Sequence, residues 1–175
     1  MQEDCILQKI SFMGKFLSFF KVQFIAWFPA GLWCLFIFLG STDEVGGNNM
    51  NIKVINFLKD CFPPLSSEQL SEIVFYLRKT CHVVEYMILG SFVFHGLVHS
   101  GIVGLHRLWS YRMAILTFLI CCGYAATDEY HQSLTKHRNG CLSDVMIDSF
   151  GVLLAIGLMW VIAYFLESEN HKKKT

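Results

Sequence analysis

Residues 127–151, TDEYHQSLTKHRNGCLSDVMIDSFG, concentrate acidic, basic and amide side chains between two of the most apolar segments of the chain. The segment before this stretch, 113–127, and the segment after it, 149–166, are uncharged apart from their boundaries. Charged side chains are costly at membrane depth and usually face a bundle interior or a wet cavity, where they pair or function. The stretch therefore predicts a polar hairpin that joins two membrane-spanning helices.

The composition of the whole chain is typical of a membrane protein. Of 175 residues, 54% are hydrophobic and only 16% are charged, whereas soluble domains carry about 25% charged residues. The formal net charge is zero, so no overall field favours nucleic acid, and we expect none as a partner. The seven cysteines include no CxxC pair, which predicts neither a disulfide framework nor a zinc knuckle. The sequence does not decide whether Cys81 and Cys141 form a disulfide.

Four apolar segments approach the length of about 20 residues that a helix needs to cross a bilayer. They are residues 22–42, 86–105, 113–127 and 149–166. The third segment is the shortest, reaching about 22 Å as a helix, and Pro29 is expected to kink or loosen the first. The predicted fold is all-α, a polytopic membrane protein built on a four-transmembrane-helix bundle at residues 22–166.

The remaining segments flank or connect these spans. Residues 1–21 alternate Lys with apolar side chains, which predicts either an amphipathic helix at the membrane interface or an extension of the first span. Residues 43–81 are expected to form the main extracytoplasmic loop. Within it, Ser66 and Gln69 fit a capping box that opens a helix able to continue into the second span. Residues 167–175 form a basic tail.

The basic residues predict an orientation for the protein. They are more numerous in the short flanks on one side of the membrane, which contain Lys9, Lys15, Lys21, Arg107 and Arg112. The positive-inside rule then places both termini in the cytoplasm of a multi-pass cell-membrane protein. The charged ends of the second, third and fourth spans consequently meet on the outer side.

Packing the four spans together would gather the ionisable residues at this outer level into one site. Residues three or four apart share a helix face, as His82 and Glu85 do. The residues predicted to transfer protons are His82, Glu85, Asp128, Glu129 and His131. The residues predicted to bind the ligand are Arg78, Lys79, Tyr86, Gln132, Arg138, Asp144 and Asp148.

Two kinds of chemistry fit this set of residues. Arg78 and Arg138 can clamp a phosphate or carboxylate, while a His or an acid transfers a proton. Alternatively, carboxylates and imidazoles from different helices can hold a divalent metal, although no HExxH motif is present. The candidate metal ligands are His82, Glu85, Glu129 and His131.

A simpler interpretation is that the charges only hold helix ends together. Arg78 would pair with Glu85, and Arg138 with Asp144 or Asp148. This is favoured for any single pair, since structural ion pairs are common, but it does not account for so many acids, His and Arg on one side. His95, His99 and His106 form a helical stripe in which hydrogen bonds across helices are favoured over a proton or metal path.

Two blocks of the sequence resemble the VanZ-like family. RKTCHVVEYMILG at 78–90 and YAATDEYHQSLTKHRNGCLSDVMIDSFG at 124–151 match, in type, order and spacing, a pattern of RKxxHxxEY followed by DExHQ, an Arg and D-V-x-x-D-x-x-G that ends at Gly151. With the layout of the spans, the resemblance extends over residues 22–166. Lys136-His137 replaces a usual Pro-Gly, and Ala155 stands where a second Gly is usual.

The resemblance implies a cell-envelope protein linked to resistance to the glycopeptide antibiotic teicoplanin, and it implies no particular reaction. The leading hypothesis is an outer-leaflet site that binds or processes an anionic lipid-linked or cell-wall-related ligand, with membrane lipid as a partner. One alternative is a non-catalytic membrane protein that changes antibiotic access. Another is a small transporter, which ranks last because the first and fourth spans carry almost no polar residues. Neither enzymatic activity nor an oligomeric state is predicted.

Overall fold

The protein is described here by a computed structural model, which covers residues 2–42, 48–101, 108–134 and 140–172. All regular secondary structure in these ranges is helical, which confirms the predicted all-α class. The five helices are α1 (Gln2–Gly40), α2 (Asn48–Cys61), α3 (Ser67–His99), α4 (Tyr111–Ser133) and α5 (Leu142–Lys172).

Three of the helices in the described ranges are long and apolar enough to cross a membrane. They are α1 from Met13 onward, α3, and α5 as far as Asn170. Helix α4 contains the predicted third span but is less apolar, because its last turns carry Asp128 and Glu129. Helices able to cross a membrane are therefore present where three of the four spans were predicted.

Helix α1 combines two segments that were predicted separately, the amino-terminal segment and the first span. It runs without interruption through residue 21 and through Pro29 to Gly40. Residues 2–21 thus belong to the same helix as the first predicted span, while the interfacial position of this segment stays a prediction. Proline removes one helical hydrogen bond, and the long apolar run on both sides of Pro29 keeps the helix continuous.

The predicted loop at 43–81 is largely helical. It contains α2, which was not predicted, and the first turns of α3. The capping box at the start of α3 is confirmed: Ser66 Oγ accepts from the Gln69 amide at 3.2 Å, and Gln69 Oε1 accepts from the Ser66 amide at 2.9 Å. The helix then continues into the second predicted span without a break.

Helix α3 is the centre of the fold, since it contacts α1, α2, α4 and α5. Its approach to α5 is the closest. A Cβ on Gly90 would lie 2.9 Å from Ala155 Cβ, and one on Gly151 would lie 2.3 Å from the Val83 carbonyl oxygen. Small residues permit such close helix contacts, and Gly90 leaves room for Ala155 where the family pattern has glycine.

Side-chain hydrogen bonds connect α1 to both α3 and α4. Trp33 Nε1 donates to the Glu85 carbonyl at 2.9 Å, and the Tyr124 hydroxyl donates to the Cys34 carbonyl at 2.6 Å. These bonds hold the carboxyl end of α1 against the other helices.

The histidine stripe of α3 differs from its prediction. His95 and His99 are exposed, their rings stack 4.1 Å apart, and His99 Nδ1 lies 3.0 Å from the His95 carbonyl. These contacts lie within one helix and not across helices. His106 lies outside the described residues.

Candidate functional site

A group of buried polar side chains lies where the amino-terminal half of α3, the end of α4 and the start of α5 meet. Tyr86 and Asp148 are fully buried, and Asp128 and Glu129 are 3% and 5% exposed. Carboxylates are almost never so deeply buried unless they are paired. The local sequence produces this arrangement because α4 continues to Ser133, carrying Asp128 and Glu129 onto the inner side of the bundle.

His82 of α3 faces Asp148 of α5. Their Nδ1 and Oδ1 atoms are 3.3 Å apart, the distance of an ion pair when the imidazole is protonated. The close backbone contact at Gly151 brings the two helices near enough for this pairing. A histidine whose Nδ1 faces a carboxylate keeps Nε2 for exchanging a proton with a ligand.

Asp128 belongs to a second polar network. Its Oδ2 accepts from Ser41 Oγ at 3.0 Å and from Gln132 Nε2 at 2.9 Å, and Gln132 Nε2 lies 3.3 Å from Ser41 Oγ. Ser41 directly follows α1 and was not predicted as a site residue. Nothing in its local sequence distinguishes it, since it only ends an apolar run.

Glu129 is held by the start of the next segment. Its Oε2 accepts from the Cys141 amide at 2.9 Å. Gly140 permits the close approach, because a Cβ there would lie 2.2 Å from the Glu129 carbonyl oxygen.

Tyr86 lies between the two networks. Its hydroxyl interacts electrostatically with Asp128, Asp148 and Glu129. A buried tyrosine hydroxyl usually finds a hydrogen-bond partner, but that of Tyr86 has none within the described part of the chain.

The remaining predicted residues lie around this buried group. Lys79 pairs with Asp144, and its ammonium lies 5.4 Å from the Phe75 ring. Glu85 is half-buried and interacts electrostatically with His82. Arg78 is half-buried on α3, whereas Arg138 lies outside the described residues. Asp144 and Asp148 therefore face Lys79 and His82 respectively.

Several buried atoms of the predicted residues have no hydrogen-bond partner among the described residues. An unsatisfied buried polar group costs about 1–3 kcal/mol, and such groups call for an explanation, such as a ligand, an ion or ordered water. The atoms are Tyr86 Oη, Asp128 Oδ1, Glu129 Oε1, His131 Nδ1 and Asp148 Oδ2, whereas His82 Nδ1 and Asp148 Oδ1 face each other in the ion-pair contact.

The four candidate metal ligands do not assemble. Across the described residues, no group of three or more His, Cys, Asp or Glu side chains is placed to hold a metal ion. His131 packs its ring 4.6 Å from that of Phe38 on α1, whereas His82 faces α5. The Cys81–Cys141 bridge is absent too, since both thiols are free and exposed.

The comparison with protein families agrees with the two sequence blocks. No curated protein and no solved structure matches the chain. A family model described as VanZ/LLP1 matches residues 24–164, from within α1 to within α5. This range contains every residue of the buried polar group, and it confirms the predicted resemblance. The chain therefore belongs to the VanZ/LLP1 family.

Proposed function

We propose that this VanZ-like protein is a multi-pass protein of the cell membrane whose buried polar group binds and processes an anionic lipid-linked or cell-wall-related ligand at the outer leaflet. The observation that carries the proposal is the convergence of buried polar atoms from α3, α4 and α5 that have no hydrogen-bond partner among the described residues. The His82–Asp148 and Lys79–Asp144 pairs do not satisfy Tyr86 Oη, Asp128 Oδ1 or Glu129 Oε1. A site completed by a ligand leaves them available.

The proposal includes α4 as the fourth membrane span. Its buried side includes Met113, Thr117, Cys121 and Ala125, followed by Asp128 and Glu129. Because these acids are buried, they do not contact lipid. Ionisable residues that face a bundle interior are the kind that membrane spans tolerate. With four spans and the bias in basic residues, both termini lie in the cytoplasm and the polar group lies at the outer side.

His82 and Glu129 are the groups proposed to transfer protons. Asp148 orients the His82 imidazole and stabilises its protonated form, which is the usual effect of a carboxylate on a catalytic histidine. Glu129 is buried and its Oε1 has no hydrogen-bond partner among the described residues, so this carboxyl is available to exchange a proton with a ligand. Tyr86 and Asp128 complete the walls, and Arg78 and Lys79 supply positive charge for the anionic ligand.

Family membership supports a role in glycopeptide resistance. A protein that binds or alters a lipid-linked or cell-wall-related ligand at the outer leaflet changes what a glycopeptide meets at that surface. We therefore propose that the chain modulates resistance of the teicoplanin type. A binding protein without chemistry would act at the same place, and the variants below separate the two.

The test is expression of the wild-type chain and its variants in a susceptible bacterium, with the inhibitory concentration of teicoplanin and the membrane abundance of each variant measured together. His82→Gln and Glu129→Gln are expected to abolish protection at unchanged abundance. Glu169→Gln, on the exposed end of α5, is the matched control and should protect fully. Full protection by all three variants would contradict proton transfer and favour simple binding. No protection by the wild-type chain would contradict the resistance role.

A further inference from the structure

A groove of about 500 Å³ lies on the outside of the α3–α5 contact. Its apolar lining includes Tyr76, Val83, Met146 and Phe150, and its polar members are Lys79 and Thr80. Tyr76, Met146 and Phe150 are more than half exposed, so the groove is open toward the surroundings of the bundle. In a membrane those surroundings are hydrocarbon chains.

We propose that this groove binds one hydrocarbon chain of a phosphate-bearing anionic membrane lipid, and that Lys79 binds the phosphate. The inference rests on the proposed function, for which it names the ligand class. The apolar groove suits the hydrocarbon chain of such a lipid, and the single cation at its edge suits the phosphate. Lys79 is the cation among the described residues that line the groove.

The ammonium of Lys79 has capacity for a second anionic partner. A lysine ammonium has three N–H donors, and the pairing with Asp144 uses one of them. The side chain is 18% exposed, so it is reachable from the groove. The Thr80 hydroxyl donates to the Tyr76 carbonyl, which leaves Lys79 as the donor for a phosphate.

The groove lies one helical turn away from the buried polar group. Lys79 precedes His82 on α3, and its partner Asp144 precedes Asp148 on α5. Residues three or four apart lie on one helix face, so a phosphate at Lys79 lies next to the His82–Asp148 pair. The lipid would thereby present its headgroup to the proposed proton-transfer residues without leaving the membrane.

The test measures lipid binding directly. The purified full-length chain in neutral detergent is titrated with fluorescent phosphatidylglycerol and, separately, with phosphatidylcholine of the same chains. The wild-type chain should prefer phosphatidylglycerol. Lys79→Gln should lose about fivefold in affinity for phosphatidylglycerol, as expected for one surface cation, and none for phosphatidylcholine. Asp144→Asn leaves Lys79 charged and unpaired, so it should keep or increase the preference.

A second pair of variants tests the groove itself. Met146→Trp places a large ring in the groove and should weaken the binding of both lipids. Leu153 is exposed on α5 but does not line the groove, so Leu153→Trp should leave the affinity for both lipids unchanged. If Lys79→Gln and Asp144→Asn lose equal affinity for phosphatidylglycerol, Lys79 only holds the helices together, and this result would overturn the proposal. Unchanged binding in Met146→Trp would overturn it as well.

The two proposals fail separately. His82 does not line the groove, so lipid binding does not depend on the antibiotic assay. If lipid binding follows these expectations while His82→Gln keeps full teicoplanin protection, the groove stands and the proton-transfer function fails. If wild-type binding shows no preference for phosphatidylglycerol while His82→Gln loses protection, the groove proposal fails and the proton-transfer function stands.

Discussion

Gly151 of α5 contacts the backbone of α3 at Val83, where an added Cβ would lie 2.3 Å from the carbonyl oxygen. The contact lies one turn from the His82–Asp148 pair, so the distance between these two side chains depends on the absence of a side chain at position 151. The glycine that ends the family pattern thus sets the geometry of the site without contacting a ligand.

Gly151→Ala is expected to destabilise the protein by about 1–3 kcal/mol, because the new methyl group forces α3 and α5 apart. Gly157→Ala on the same helix is the control. Nothing lies within 4 Å of a Cβ there, and alanine favours helix over glycine by about 1 kcal/mol. Thermal unfolding in detergent should show a lower midpoint for the first variant only. Equal midpoints would mean that the helices do not touch at Gly151.

His82 and Asp148 are expected to act as a unit. His82→Gln, Asp148→Asn and the double variant should give a coupling energy of about 0.5–3 kcal/mol in unfolding measurements. The more exposed Lys79–Asp144 pair provides the comparison, with a coupling of about 0.2–1 kcal/mol. Additive effects at His82 and Asp148 would remove the pairing from the proposed mechanism.

The thiol of Cys141 reports the orientation of the protein. Cys141 is exposed beside the buried polar group, and the proposed topology places it outside the cell. In a variant with Cys5→Ser, Cys61→Ser and Cys81→Ser, a membrane-impermeant maleimide should label intact cells, and the further change Cys141→Ser should abolish the labelling. Labelling that requires cell lysis would reverse the orientation.

Ser143 should control the reactivity of the same thiol. Its hydroxyl donates to Cys141 Sγ at 3.1 Å, and hydrogen bonds from Ser143 lower the pKa of the Cys141 thiol. Because the thiolate is the nucleophile, Ser143→Ala should slow alkylation at neutral pH and move the pH–rate profile upward. Ser67→Ala, at the first turn of α3, is a suitable control and should leave the rate unchanged.

The sequence predicted best what local interactions determine. The capping box at Ser66 and Gln69 involves neighbours in the chain, so its motif is enough to locate the start of α3. The spacing of Asp128, Gln132, Asp144 and Asp148 follows from helix periodicity, and the structure buries three of these four side chains. The all-helical class follows from the long apolar runs.

The sequence predicted poorly what depends on contacts between distant segments. Ser41 binds Asp128 across 87 residues, and its sequence neighbours do not indicate this role. The pairing of Lys79 with Asp144 and of His82 with Asp148 was not predicted, because it depends on the rotation of α5 against α3, which the backbone contact at Gly151 fixes. Helix α2 was missed because the turn-like residues before it dominate the local pattern.

The length of α1 has a mechanical consequence. Its 39 residues extend about 58 Å at 1.5 Å per residue, whereas a bilayer with its headgroups is about 40–45 Å thick. The carboxyl end of α1 is tied to α4 through the hydrogen bond from Ser41 to Asp128. A helix of this length that crosses a membrane must therefore tilt or project beyond the surface on its amino-terminal side.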